Sequence, residues 1–258
     1  MKIFYFTATG NSLAVAKKIG GELISIPQVM NDENLNYKDD IIGVIFPIYG
    51  CTVPKIVKRF LKKVKLEADY IFAIGTYGMT KGKTMETAQK LALESGYRFD
   101  YVNEVLMLDN CQPQFDIAEE KKKLQGKKVD ESIAKIIKDV KQQKKVTAKS
   151  RFSDKAATWF CENVFNIEKD DYAKNYSVDD NCIKCGTCAK VCPTANIKIT
   201  NNVEFLEHCA CCQACIHACP QHAIHFKRER STERWRNYDV KLSEIILANN
   251  QNSNNEVH

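Results

Sequence analysis

Lys2-Ile3-Phe4-Tyr5-Phe6-Thr7-Ala8-Thr9-Gly10-Asn11-Ser12 opens the chain. An unbroken apolar run, Ile3–Phe6, leads straight into a loop of three hydroxyls and one glycine. A helical pattern follows, with Leu13, Ala16 and Ile19 on one face. Apolar runs of this kind suit strands buried on both faces, as in parallel sheets covered by helices. Ile41–Phe46 and Tyr70–Gly75 read as further strands, and Glu22–Ile26 and Tyr101–Leu108 as weaker ones. Between them lie apolar stripes at helical spacing: Ile56, Val57, Phe60, Leu61 and Val64 after Pro54; Met85, Ala88, Leu91 and Ala92; then Ile133, Ile136, Ile137 and Val140. Alternating strands and helices predict βαβ crossovers and an α/β doubly wound sheet.

The first loop has the chemistry of a phosphate site. Thr7, Thr9 and Ser12 offer hydroxyls, backbone N–H groups from Ala8 to Ser12 can form a nest, and the following helix adds its positive end. Gly10 permits the tight backbone path. Two later strands end in Phe46-Pro47-Ile48-Tyr49-Gly50-Cys51 and Gly75-Thr76-Tyr77-Gly78-Met79. With strand order 2-1-3-4-5, a ligand sits outside the carboxyl ends of strands one, three and four. Tyr49 and Tyr77 would flank a flat ring there. Pro47, Gly50, Thr76 and Gly78 would lie around its edge.

Nine of the twelve cysteines fall between Cys182 and Cys219. They include Cys182-x-x-Cys185-x-x-Cys188-x-x-x-Cys192-Pro193 and Cys209-x-x-Cys212-x-x-Cys215-x-x-x-Cys219-Pro220. Each segment matches the C-x₂-C-x₂-C-x₃-C-P run of bacterial ferredoxins, in which the fourth cysteine serves the other cluster. The expected ligand sets therefore cross: Cys182, Cys185, Cys188 and Cys219 for one [4Fe–4S] cluster, Cys209, Cys212, Cys215 and Cys192 for the other. Structural zinc also uses four cysteines, but it does not call for two matched runs that each end in Cys-Pro. Cys211 breaks the spacing and is surplus. His208 and His217 read as surface or packing residues.

Residues 1–150 resemble the flavodoxin-like family. Joined to Cys182–Pro220, nearly the whole chain resembles bacterial flavodoxin–ferredoxin fusion proteins. The resemblance implies FMN, with Thr7, Thr9, Gly10, Asn11 and Ser12 on its phosphate and Tyr49 and Tyr77 on its ring. It also implies a small α+β dicluster ferredoxin domain after the sheet. The expected division is 1–150 for the FMN domain, 151–175 for a helical connector, 176–228 for the ferredoxin domain and 229–258 for a tail with a short helix. The connector stripe Phe152, Ala156, Trp159, Phe160, Val164 and Ile167 is expected to pack on a neighbouring domain, and Asn249–His258 to fray.

The remaining features bound the function. The chain has 258 residues and a formal charge of +6. It has no apolar run long enough to span a membrane and no signal-peptide pattern, so a cytoplasmic protein is expected. The cysteine content then favours metal over disulfides. Eleven lysines against five acidic residues in 117–149 account for the whole net charge. Without interleaved aromatics that segment reads as a solvated helix face, or a dock for an acidic redox partner, and not as a nucleic-acid surface. No catalytic constellation is evident. The expected function is electron relay among two clusters, FMN and a redox partner protein. An alternative is an FMN-dependent reductase of a small oxidant such as a quinone or nitro compound. Structural or sensing clusters form a third class.

Overall fold

The computed structural model describes residues 1–165 and 172–251. Five parallel strands, β1 (Lys2–Tyr5), β2 (Glu22–Ser25), β3 (Ile41–Pro47), β4 (Tyr70–Tyr77) and β5 (Tyr101–Leu106), form one sheet in the order β2-β1-β3-β4-β5. This is the flavodoxin-like arrangement, reversing direction between β1 and β3. Alternate side chains feed two cores. Ile3, Tyr5, Ile45, Phe72 and Ile74 face one side, and Phe4, Phe6, Val44, Phe46 and Ala73 the other. Gly43 is required within β3, because a Cβ there would lie 2.4 Å from the Phe72 ring.

Helices α1 (Asn11–Ile19) and α5 (Val129–Lys141) cover the first face. Helices α2 (Lys55–Lys63) and α3 (Thr84–Glu94) cover the second. Between β5 and α5 lies α4 (Ile117–Lys123). The lysine-rich segment is not uniformly solvated. Lys127 is buried and its Nζ donates to Gly78 O (3.1 Å), Met107 O (2.7 Å) and Glu120 Oε2 (2.9 Å). That ammonium clamps the ends of β4 and β5 to α4.

Helix α6 (Phe152–Phe160) docks by a different face from the expected one. Phe152 is 88% exposed and Trp159 65%, and Ala156, Phe160 and Val164 are exposed too. The buried residue is Thr158, whose hydroxyl accepts from Lys83 N–H (2.9 Å) and donates to Asp154 O (3.0 Å). A backbone hydrogen bond thus fixes the helix by its polar face, overriding the apolar stripe. Ile167 lies outside the described residues.

The cysteine-rich region is a repeat with an offset of 27 residues. Strand β6 (Tyr176–Val178), helix α7 (Thr187–Lys190) and strand β7 (Ile197–Ile199) recur as β8 (Val203–Phe205), α8 (Ala214–Ala218) and β9 (Ile224–Phe226). β6 pairs antiparallel with β9 and β7 with β8, so each half closes on the other. The backbone repeats as well. Lys184, Gly186 and Ala195 have positive φ, as do Cys211, Gln213 and His222 at the equivalent places. Cys211 therefore occupies a turn position equivalent to Lys184.

The chain then returns to the first unit. Helix α9 (Leu242–Asn249) lies against it: Ser25 Oγ donates to Ala248 O (2.5 Å), and Lys17 pairs with Glu244 (2.8 Å). Asn249, expected to fray, is fully buried, and its side chain donates to Thr7 O (2.8 Å). Satisfying a buried carbonyl outweighs the disorder expected of an Asn-rich end. Residues 252–258 lie outside the described residues.

The Lys127 clamp gives a direct test. Lys127→Met leaves Glu120 buried without one of its two cationic partners, and breaking such a pair costs about 3 kcal/mol. The thermal midpoint of the cluster-loaded protein should fall by several degrees, whereas Lys122→Met on the exposed face should leave it unchanged.

Candidate cofactor sites

The strand-to-helix loop at Thr7–Ser12 is held from several sides. Gly10 sits at φ +101° and caps α1, and its N–H bonds to Thr7 Oγ1 (3.1 Å). Ser12 Oγ meets Thr76 Oγ1 at 2.9 Å, and Thr9 Oγ1 accepts from Asn110 Nδ2 at 2.5 Å. Thr7, Thr9 and Ser12 are all buried. The C-terminal segment holds the loop's carbonyl side: Asn237 N–H donates to Thr9 O (2.8 Å), and Asn249 to Thr7 O. Asn11 Oδ1 accepts from Asn237 Nδ2 (3.1 Å). A peptide plane fixed by its carbonyl directs the next N–H to the opposite side, so these bonds aim the Ala8 and Gly10 amides away from the tail. Hydroxyls and a helix N-terminus make this donor set suitable for a phosphate monoester. Such a ligand would exchange the Thr9–Asn110 and Ser12–Thr76 contacts for its own.

The other two loops turn towards the chain itself. Pro47 ends β3 opposite Thr76. Tyr49 and Thr52 exchange backbone hydrogen bonds (3.2 and 3.0 Å) across Gly50 (φ +50°) and Cys51 (φ +62°), a tight turn needing left-handed residues at both centres. That turn presents Tyr49 edge-on to Phe6, with ring centroids 6.2 Å apart. The Tyr49 hydroxyl is buried without a hydrogen-bond partner. Burial, and then Cys212, Cys211 and Cys111, hold its pKa well above the usual tyrosine value. Tyr77 is half-buried, and its carbonyl accepts from Met107 N–H (2.7 Å). Gly78 lies so close to Asp109 that a Cβ would approach the Asp109 Cβ to 2.2 Å. Burial raises the Asp109 pKa to about 6. Cys51 Sγ lies 2.9 Å from Cys161 Sγ at the end of α6.

The cysteines gather in two sets. Cys182, Cys185, Cys188 and Cys219 line one cavity, with Gly186, Thr187 and Pro220. The thiol of Cys215 is pushed up by burial first, and then by its neighbours Cys212, Cys192 and Cys209. Equivalent amides address equivalent sulfurs: Asn196 N–H donates to Cys192 Sγ (3.2 Å), and Ala223 N–H to Cys219 Sγ (3.3 Å). Cys211 lies beside the second set without its spacing.

Several residues that fix the site carry no motif. His217, between Cys215 and Cys219, is buried and not superficial. Its Nδ1 accepts from Trp235 N–H (3.2 Å), so Nε2 carries the proton and donates to Asn110 O (2.8 Å). Burial keeps the ring neutral, with its pKa lowered to about 4. Gln213 Oε1 accepts from Gln112 N–H (2.9 Å), and Gln112 Nε2 donates to Glu233 O (2.7 Å). The positions one and five residues after Cys212 offered the only sequence signal: polar side chains inside a tightly wrapped cysteine run.

Residues 177–198 match the family described as 4Fe-4S binding domain. Among solved structures, the chain is similar to the two-electron reduced flavodoxin of Megasphaera elsdenii, at 18% identity over 40% of this chain and 83% of that one, with TM-score 0.29. It is also similar to a flavodoxin of Streptococcus pneumonia TIGR4, at 15% identity over 52% and 97%, with TM-score 0.31. No curated protein matches. The sheet order and the cysteine module define the class: a flavodoxin-like α/β unit joined to a ferredoxin-type 4Fe-4S binding domain in one chain.

Asp109 provides a pH test of the loop packing. Its folded pKa lies above the ordinary value of 3.8, so the native state binds the extra proton between about pH 4 and pH 6. Stability from this group is complete below pH 4 and is lost as pH rises to about 6. Asp109→Asn removes the buried charge and keeps an oxygen for Cys111 N–H. Its thermal midpoint should exceed that of the parent at pH 7.5, by up to about 3 kcal/mol of stability, with the gap narrowing at pH 5.

Proposed function

We propose that the protein transfers electrons, relaying them between two [4Fe–4S] clusters and FMN and to or from a redox partner protein. The observation that carries this reading is the cavity lined by Cys182, Cys185, Cys188 and, from the opposite half of the repeat, Cys219, with Cys192 likewise beside Cys215, Cys212 and Cys209. In this reading Cys182, Cys185, Cys188 and Cys219 hold cluster one, and Cys209, Cys212, Cys215 and Cys192 hold cluster two. The family match over residues 177–198 supports 4Fe-4S binding by the first segment, and the 27-residue repeat extends it to the second.

When bound, the clusters supply one-electron capacity each, and FMN one or two. The chain's own part is to hold and insulate them. The Asn196 and Ala223 amides donate to Cys192 and Cys219, which raises the potential of the attached iron. Apolar Ile197, Ile216 and Ile224 keep water from the module's interior. For FMN, the Thr7, Thr9 and Ser12 hydroxyls and the α1 N-terminus would take the phosphate. Asn237 and Asn249 brace the loop from behind. Tyr49, Tyr77, Pro47, Gly50, Thr76 and Gly78 would border the ring once Asp109 and Asn110 give way. A reductase of small oxidants needs an open face at that ring. Asp109 against Gly78 and the Cys209–Cys211 loop beside Tyr49 crowd these loops, which supports transfer to a protein.

Anaerobic reductive titration tests the relay. Protein loaded with FMN should take up about four electrons, and protein without FMN about two. Cys182→Ser and Cys219→Ser should abolish the same reduced-cluster EPR signal, and Cys192→Ser and Cys209→Ser the other. If Cys219→Ser and Cys209→Ser remove one signal together, the crossed sets are wrong. Failure to bind FMN while riboflavin also fails would remove the flavin and leave the clusters.

A further inference from the structure

The three loops at the carboxyl end of the sheet do not meet the cysteine module equally. Cys212 packs against both cores of the α/β unit, and Tyr49 does the same. Tyr49, Thr52, Val53 and Pro54 share a small cavity with Cys209, Ala210 and Cys211. The first cysteine set is turned outward: Cys185 and its neighbour Ile183 are exposed. The loop that carries Cys209 meets the sheet unit at Tyr49, Thr52, Val53 and Pro54.

Within that contact the Tyr49 hydroxyl is buried and has no hydrogen-bond partner. A buried hydroxyl left unpaired is costly, and native structures rarely retain one. Its ring is fixed by Phe6 and by the tight turn at Gly50 and Cys51. Cys209, Ala210 and Cys211 line the cavity beside it, and Cys212 packs on the same two cores. Sulfur is therefore the acceptor chemistry that the cysteine module brings to this tyrosine. Lys55 lines the same cavity as Cys209 and Cys211.

We propose that the Tyr49 hydroxyl donates a hydrogen bond to the sulfur of cluster two, so that the α/β unit sets that cluster's potential. The inference rests on the two-cluster reading above. It orders the relay: cluster two faces the α/β unit and cluster one faces the partner protein. Tyr49 is here a positioning and tuning residue and holds no iron itself. A donor to sulfur stabilises the more negative, reduced cluster, so it raises the potential. Tyr176 offers an internal reference. Its hydroxyl is also buried, it lies beside Cys209, Cys215 and Cys212, and it belongs to the cysteine module itself.

The test is an EPR-monitored redox titration of cluster-loaded Tyr49→Phe, with iron and sulfide analysis on the same sample. Unchanged iron shows that the two-cluster reading stands whatever the potentials do. One of the two midpoints should then move to lower potential, the other should not, and Tyr176→Phe should lower the same one. No shift, equal shifts of both clusters, or a shift confined to the cluster that Tyr176→Phe leaves alone would overturn the proposal. If Tyr49→Phe loses iron, 3-fluorotyrosine incorporated into Tyr176→Phe protein gives the second reading. Its more acidic hydroxyl should raise the cluster-two midpoint, and an unchanged midpoint would count against the donor.

Discussion

A neutral imidazole at His217 ties the molecule together. One ring nitrogen accepts from Trp235 and the other donates to Asn110, so a residue inside a cysteine run grips both the α/β unit and the returning tail. The ring is buried, where an unpaired nitrogen would be expensive. That constraint sets the orientation of α8, and α8 carries Cys215 and ends next to Cys219. Gln213 and Gln112 repeat the tie one helical turn earlier. The second half of the cysteine module thus carries these polar ties to the sheet unit, while Val191 of the first half adds an apolar contact to the same core.

This seating explains an asymmetry that the internal repeat does not have. The two halves share strands, turns and positive-φ positions at a fixed 27-residue offset, yet their surroundings differ. Lys184 and Gly186 of the first half have Cys211 and Gln213 as counterparts in the second. The exchange turns an exposed loop into one that fits against Tyr49 and Gln112. The same seating accounts for the surplus thiol: Cys211 fills a turn within the contact, where a long charged side chain would be buried.

Much of this was legible in the sequence, for physical reasons. Ile3–Phe6, Ile41–Phe46 and Tyr70–Gly75 had to be strands because only a covered parallel sheet buries both faces of an apolar run. The cysteine spacing is legible because a cluster's corner dictates it. What escaped was long-range. Nothing local marks Asn249 as the partner of Thr7, or His217 as a bridge to Asn110, since both partners lie more than a hundred residues away. The α6 stripe misled because helical periodicity records where apolar residues lie. It is blind to a single threonine that satisfies a backbone amide. Lys127 was hidden among ten other lysines for a similar reason.

The central claim is that the α/β unit and the cysteine module form one body, joined at His217, Gln213 and the tail. Native-state hydrogen exchange of the cluster-loaded chain tests it most directly. The Gln112, Trp235 and Asn237 amides should exchange as slowly as those of β3 and β4, because releasing them requires the two units to part. Exchange of these three at the rate of exposed loops, with β3 and β4 still protected, would show two independent domains and contradict the account.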